Sequence, residues 1–211
     1  MNPTRRVRYQ VAMSLDGFIA GPKGEADWIV MDKDIDFESL FSQFDTFLMG
    51  RKTFETMGGR GTGGRGTKTI VFSRTLKPED HPRVTIVSDR IAETVNALRA
   101  EKGKDIWLFG GGLLFRSLLD AGVVDTVEVA VMPVLLGGGI PLLPSPASRT
   151  RLTLTGHKVY KTGIVMLEYA VSDARLKGTP PRTNRAVATP PPRAPSGQRT
   201  SRRRSARASA E

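Results

Sequence analysis

Apolar and polar residues alternate at Val7, Tyr9, Val11 and Met13, the period of a strand with one buried face. Residues 14–33 break the alternation and read as a loop. Ile35, Leu40, Phe41 and Phe44 then fall on one helical face, and Phe47, Leu48 and Met49 form a short buried strand that stops at Gly50. A helical turn follows from Arg51. Residues 58–67 hold six glycines and read as a mobile loop, after which 69–73 resumes as a strand. A strand at 84–87, an amphipathic helix marked by Ile91, Val95 and Leu98, and a strand at 106–109 come next. The last of these runs into Gly110, Gly111 and Gly112, then a helix over 113–121 with Leu113, Leu114, Leu118 and Leu119 on its apolar face and Gly122 at its end. Val127, Val129 and Val131 alternate as a strand, and 152–160 and 164–171 flank Lys161-Thr162-Gly163 as a hairpin. Alternating β and α units closed by an antiparallel hairpin predict an α/β domain with a mostly parallel mixed sheet and flanking helices.

The chain has 211 residues, 39% hydrophobic and 25% charged, enough for one core and short for two. It has no cysteine, which excludes disulfides and thiolate metal sites. Neither a signal-peptide h-region nor 18 consecutive apolar residues occurs, so the expected location is the cytoplasm, without a membrane partner. The net charge of +11 is concentrated at the end: residues 175–211 hold ten Lys or Arg and one acid, leaving +2 for residues 1–174. That segment is rich in Pro, Ser, Ala and Arg, with Leu176 and Val187 its only large aliphatic residues, and reads as a disordered basic tail. Two roles stand open for it: an electrostatic tether to nucleic acid or another acidic surface, or a dispensable extension. The division expected is therefore a domain at 1–174 and a tail at 175–211.

Three predicted strand ends carry candidate chemistry. The strand at 106–109, its three glycines and the following helix would let a pyrophosphate approach the backbone and meet the free N–H groups and positive dipole end of the helix. A tight strand-to-helix turn explains the same glycines. Gly50-Arg51-Lys52-Thr53 adds two cations and a hydroxyl, with a fork in Arg51 suited to a phosphate monoester, and Ser73-Arg74 adds another hydroxyl and cation. Solvated loops would look alike one at a time. If the strands are parallel neighbours, all three lie on the edge where open α/β sheets bind ligands. His81 and His157 lack metal-spaced companions and read as surface residues.

Taken together, Met13-Ser14-Leu15-Asp16-Gly17-Phe18-Ile19-Ala20, Asp27-Trp28, Phe47-Leu48-Met49-Gly50-Arg51-Lys52-Thr53-Phe54, Leu108-Phe109-Gly110-Gly111-Gly112 and Met132-Pro133-Val134-Leu135-Leu136-Gly137 resemble the dihydrofolate reductase superfamily. The serine-leucine-aspartate-glycine and proline-x-leucine-leucine-glycine pieces resemble most the reductase domain of the bifunctional riboflavin-biosynthesis deaminase-reductase, over residues 5–172. The resemblance implies a dihydrofolate-reductase-like fold, NADPH as cofactor, a small pyrimidine or pteridine-like substrate and a homodimer. It implies that Gly50, Arg51 and Thr53 contact the adenosine-phosphate end, with Ser73 and Arg74 nearby; that Gly110, Gly111, Gly112 and Leu113 lie at the pyrophosphate; and that Ala12, Ile19 and Trp28 line the nicotinamide side. Trp28 reads equally well as a core anchor.

The first loop and helix carry no arginine to grip a ribose phosphate, a departure from the riboflavin-pathway pattern. Among the acids Asp16, Asp27, Asp32, Asp34 and Asp36, Asp34 stands at the expected start of the first helix, sixteen residues before Gly50, where dihydrofolate reductases place a substrate-binding carboxylate. Half buried beside Phe37 and Leu40, it would orient a heterocycle; as a helix N-cap it would satisfy a backbone N–H instead. Asp16 is expected to shape the turn into Gly17. The functions that remain open are a general reductase of heterocycles, the phosphoribosylaminouracil reductase of riboflavin biosynthesis, a true dihydrofolate reductase, or a non-enzymatic nucleotide- or nucleic-acid-binding module that uses the tail.

Overall fold

The computed structural model describes residues 5–62, 64 and 66–172; the segment read as a basic tail, 175–211, lies outside them. In chain order the elements are β1 (Val7–Ser14), β2 (Phe18–Ala20), α1 (Phe37–Ser42), β3 (Phe44–Gly50), α2 (Arg51–Thr56), β4 (Lys68–Phe72), β5 (Thr85–Val87), α3 (Ile91–Ala100), β6 (Asp105–Gly110), α4 (Gly112–Asp120), β7 (Thr126–Met132), β8 (Ile140–Pro141), β9 (Leu152–Val159) and β10 (Val165–Val171). Eight strands form one sheet in the order β5-β4-β3-β6-β1-β7-β10-β9, while β2 and β8 pair separately. From β5 to β7 every neighbour is parallel, and β10 and β9 close the sheet antiparallel. This is the expected α/β architecture with its terminal hairpin.

Alternation along the strands divides the core in two. Tyr9, Leu48, Ile70 and Leu108 face α3 and α4 and meet Val95, Leu114, Phe115 and Leu118, whereas Phe47, Met49, Val71 and Trp107 face the other way and meet Phe54 of α2. Leu40 and Phe41 bring α1 to that second face, Phe41 within 5.0 Å of the Trp107 ring. Right-handed crossovers require this split, because the connection from β3 to β4 and that from β6 to β7 run in opposite directions along the sheet.

Tyr9 stacks on Phe115 at 3.8 Å between centroids, and its hydroxyl has no partner among the described residues. Burial pushes its pKa up. An unpaired buried hydroxyl costs about 1–3 kcal/mol of desolvation. Tyr9→Phe, which keeps the stack, is therefore expected to leave stability unchanged or raise it by about 1 kcal/mol; a thermal melt showing a clear loss would refute that reading of the site.

Two expectations are corrected here. The first helix does not extend over Ile35 and Phe44: α1 has six residues, and Phe44 opens β3 opposite Asp105. Sheet pairing takes a residue that local spacing assigned to a helix. Nor does Asp34 cap α1. Asp36 does, its carboxylate accepting from the Ser39 N–H at 2.9 Å.

Candidate functional site

The carboxyl ends of β1, β3, β4, β5, β6 and β7 lie on one edge of the sheet, because these strands are parallel. At β3 and β6 the chain departs in opposite directions, to α2 on one face and α4 on the other, which is a topological switch point. Gly50 and Gly111 are the N-cap residues of α2 and α4, and neither helix start has a side-chain cap. The two segments adjoin. A Cβ on Gly50 would lie 4.0 Å from Leu114 Cβ, and one on Gly111 would lie 3.4 Å from Thr53 Oγ1. Two uncapped helix starts without side chains at their N-caps thus meet at the switch point, an arrangement that fits the pyrophosphate of a dinucleotide.

The glycines are not equivalent. Gly112 is buried, and a Cβ there would stand 2.7 Å from the Pro141 carbonyl oxygen and 2.9 Å from Pro144 Cδ. Its missing side chain has a packing reason, the close approach of 140–144 to α4. Leu113 points outward, 60% exposed.

Arg51 lies at the first position of α2, where its Nη1 donates to both carboxylate oxygens of Glu55 at 2.8 Å. Both side chains are more than a third exposed, so this pair contributes only about 0.3–0.5 kcal/mol and is easily redirected to a stronger anion. Lys52 and Arg74 are exposed and form no ion pair among the described residues. Ser73 is buried, and its hydroxyl oxygen accepts from the N–H groups of Thr75 and Leu76 at 3.2 and 3.0 Å. It shapes the turn that presents Arg74.

On the other half of the edge, Ala12 pairs with Ala130 of β7 on the face opposite Tyr9. Two methyls side by side leave that face shallow. Ile19 lies in the short strand β2, and half-buried Trp28 donates its indole N–H to the Glu25 carbonyl at 3.0 Å. Asp16 accepts from the Ser14 hydroxyl at 2.6 Å and from the N–H groups of Leu136 and Gly137, the latter at 2.7 Å. Beyond the turn it was expected to shape, it clamps the β7–β8 connection to the end of β1. Asp32, one of the five candidate acids but passed over in favour of Asp34, is buried and accepts from Asp34 N at 2.8 Å, Thr162 N at 3.2 Å and Thr162 Oγ1 at 2.7 Å. Its only sequence signal is an acid in a short apolar stretch.

These donors act on acidity. The Ser14 hydroxyl, followed by the backbone N–H groups, holds the Asp16 carboxyl below its usual range; the Asp34 N–H, followed by Thr162, does the same for Asp32. Both are kept ionised and make poor proton donors. Asp34 is exposed, not half buried beside Phe37 and Leu40. Residues 25–38 hold six acids and one cation, Lys33, while Arg51, Lys52 and Arg74 cluster on the β3–β4 half, so the edge is polarised. Among the described residues no three His, Asp or Glu side chains are placed to hold a metal ion, and no helix is long and apolar enough to cross a membrane.

Residues 5–166 match the RibD C-terminal domain family. The chain is 35% identical over 178 residues to the uncharacterized protein YyaP of Bacillus subtilis strain 168, covering 78% of this chain and 94% of that one. A putative riboflavin biosynthesis protein from Shewanella sp. PV-4 has a similar structure, with a TM-score of 0.67 at 25% identity, covering 79% of this chain and 99% of that one. A dihydrofolate reductase from Enterococcus faecalis, in complex with NADP(H), shares the fold at a TM-score of 0.60 and 20% identity, covering 80% and 97% of the two chains. A mostly parallel sheet with a terminal hairpin, a glycine-bearing switch point and this match over most of its length place the chain in the RibD C-terminal domain family, on a dihydrofolate-reductase-like fold.

Proposed function

We propose that this chain is an NADPH-dependent reductase of a small, unphosphorylated pyrimidine or pteridine-like heterocycle. The observation that carries the reading is the switch point, where two uncapped, glycine-headed helix starts meet beside Arg51, Lys52 and Arg74. NADPH, when bound, supplies the hydride. Gly50, Arg51, Thr53, Ser73 and Arg74 would hold its adenosine-phosphate end, and Gly110, Gly111, Gly112 and Leu113 its pyrophosphate. Ala12, Ile19 and Trp28 would face the nicotinamide. Reduction then asks the protein to orient the acceptor and deliver one proton. Asp34 is the exposed acid assigned to orient the heterocycle at its carboxylate; Asp16 and Asp32, kept ionised by their donors, serve as struts.

The acidic loop at 25–38 opposes a phosphorylated substrate and sets this reading apart from the phosphoribosylaminouracil reductase. Growth complementation separates the three enzymes: rescue of the riboflavin auxotroph, rescue of the folate-reductase auxotroph, or neither for a reductase of another heterocycle. In this reading residues 1–174 are the reductase, working in the cytoplasm as a homodimer, and 175–211 are an accessory tail. A nucleic-acid-binding module would lose salt-sensitive affinity on deletion of 175–211, whereas the reductase keeps its turnover.

Fluorescence titration tests the cofactor. Wild type is expected to bind NADPH at least about tenfold more tightly than NADH, and Arg51→Ala to weaken NADPH by about 10- to 100-fold with NADH unchanged, as loss of a charge-assisted hydrogen bond to phosphate predicts. No binding of either nucleotide by wild type would end the reductase reading.

A further inference from the structure

The terminal hairpin reaches the same edge as the candidate site. β10 runs antiparallel to β7 with Val165 opposite Val131, so the turn at 160–164 lies beside the carboxyl end of β7. That turn is closed by Tyr160 N–H donating to Ile164 O at 2.9 Å and Gly163 N–H donating to Tyr160 O at 3.0 Å. A Cβ on Gly163 would stand 3.4 Å from Pro133 Cγ, so the turn also packs on the residue that follows β7.

From this turn Thr162 directs two donors at one buried carboxylate. Its N–H and hydroxyl reach Asp32 Oδ2 at 3.2 and 2.7 Å, across 130 residues of sequence. The other oxygen, Oδ1, accepts the Asp34 N–H at 2.8 Å, and the Asp32 carbonyl accepts the Ile35 N–H at 3.1 Å. The carboxylate is thus divided between its own loop and the hairpin. Only an acceptor at both ends fits: an asparagine amide would turn an N–H2 toward one of the two donor sets.

We propose that Asp32 is the positioning residue of the substrate side, locking the 28–36 segment and Asp34 onto the hairpin turn and making residues 161–163 a wall of the site beside β1 and β7. The inference rests on the reductase reading for its purpose. Its geometry does not depend on it. A hairpin otherwise remote from the cofactor half thereby controls where Asp34 and Trp28 stand.

The test uses the full chain with Thr162→Val, Thr162→Ser and Asp32→Asn. Hydrogen–deuterium exchange is measured without ligand, and Trp28-sensitised emission of bound NADPH with it, Trp28→Phe giving the Trp107 background. Thr162→Val and Asp32→Asn are expected to speed exchange in 28–36 by tenfold or more while α2 and α4 keep wild-type protection. Sensitised emission should fall by at least half at an NADPH affinity within twofold of wild type, and Thr162→Ser should restore both. Unchanged exchange in 28–36, equal acceleration throughout the protein, or faster exchange with unaltered emission would each overturn the proposal. Failure of wild type to bind NADPH would instead defeat the reductase reading and leave the exchange data to decide whether Asp32 holds 28–36 on the hairpin turn.

Discussion

Arg5→Ala is expected to lose about 2–3 kcal/mol of folding stability, the upper part of the range for hydrogen bonds to a charged group, because the guanidinium is buried while its partner carboxylate is partly exposed and keeps other donors. The Arg5 side chain is 3% exposed and each nitrogen of its guanidinium donates. It donates to the Asp45 carboxylate, to Thr46 Oγ1 at 2.7 Å, and to the carbonyls of Lys104 at 2.5 Å and Leu98 at 3.2 Å. One side chain thus ties β3, the last turn of α3 and the chain entering β6 at the amino edge of the sheet. Truncation strands the Lys104 carbonyl, leaves the Leu98 carbonyl with only the Glu101 N–H at 3.2 Å, and leaves the Asp45 carboxylate with the Lys104 N–H and the Thr46 hydroxyl, each at 2.8 Å. Lysine keeps the charge without the fork, so Arg5→Lys should fall between wild type and alanine. Urea denaturation measures both; a loss under about 1 kcal/mol for alanine would mean that water replaces these bonds readily.

Gly139→Ala should cost about 2–5 kcal/mol, combining overpacking with a backbone angle unsuited to a side chain. Gly139 has φ of +150°, and a Cβ there would stand 2.2 Å from the Ala20 carbonyl oxygen. The obstacle is backbone, so no rotamer change relieves it. Ala20 pairs with Ile140 in the small β2–β8 sheet, and β2 carries Ile19, which is proposed to face the nicotinamide. The loss should therefore be partly local, with exchange protection vanishing first at 18–20 and 140–141 while α3 and β6 stay protected. Uniform loss of protection would show instead that β2–β8 folds as one unit with the main sheet. The melt and the exchange profile together separate the two.

Much of the fold is legible because its signals are local. β1, β6, β7 and the two hairpin strands show their period or their apolar run within a few residues, and the glycines that end β3 and β6 mark where the chain turns into a helix. What escaped the pattern depends on distant partners. Phe44 sits at helical spacing from Leu40 and Phe41, yet β6 claims it for β3. β2 and β8 are too short to carry a period, and each exists as a strand because the other pairs with it.

The candidate site divides in the same way. Residue types at strand ends, such as Gly50 with Arg51 and Gly110 with Gly111, are chemically suggestive by themselves, and so is the family pattern that contains them. The work of Asp16 on the β7–β8 connection, of Asp32 on Thr162, of Gly112 beneath Pro141 and of Ser73 in its own turn was not readable in that way. Asp34 shows the limit most plainly, since an acid ahead of a helix can cap it, face a ligand or do neither, and Asp36 two residues later is the one that caps.

The sequence by itself determined the α/β class, the closing hairpin, the family and the glycine- and cation-bearing strand ends proposed to hold an anion, since periodicity, glycine placement and motif spacing are properties of neighbouring residues. The tertiary structure alone decided which acids are struts and which is exposed, which glycine is there for packing, and which turn reaches Asp32. Those outcomes depend on contacts across as many as 130 residues, where a hydrogen bond or a 2.7 Å approach is set by the folded backbone and leaves no local trace.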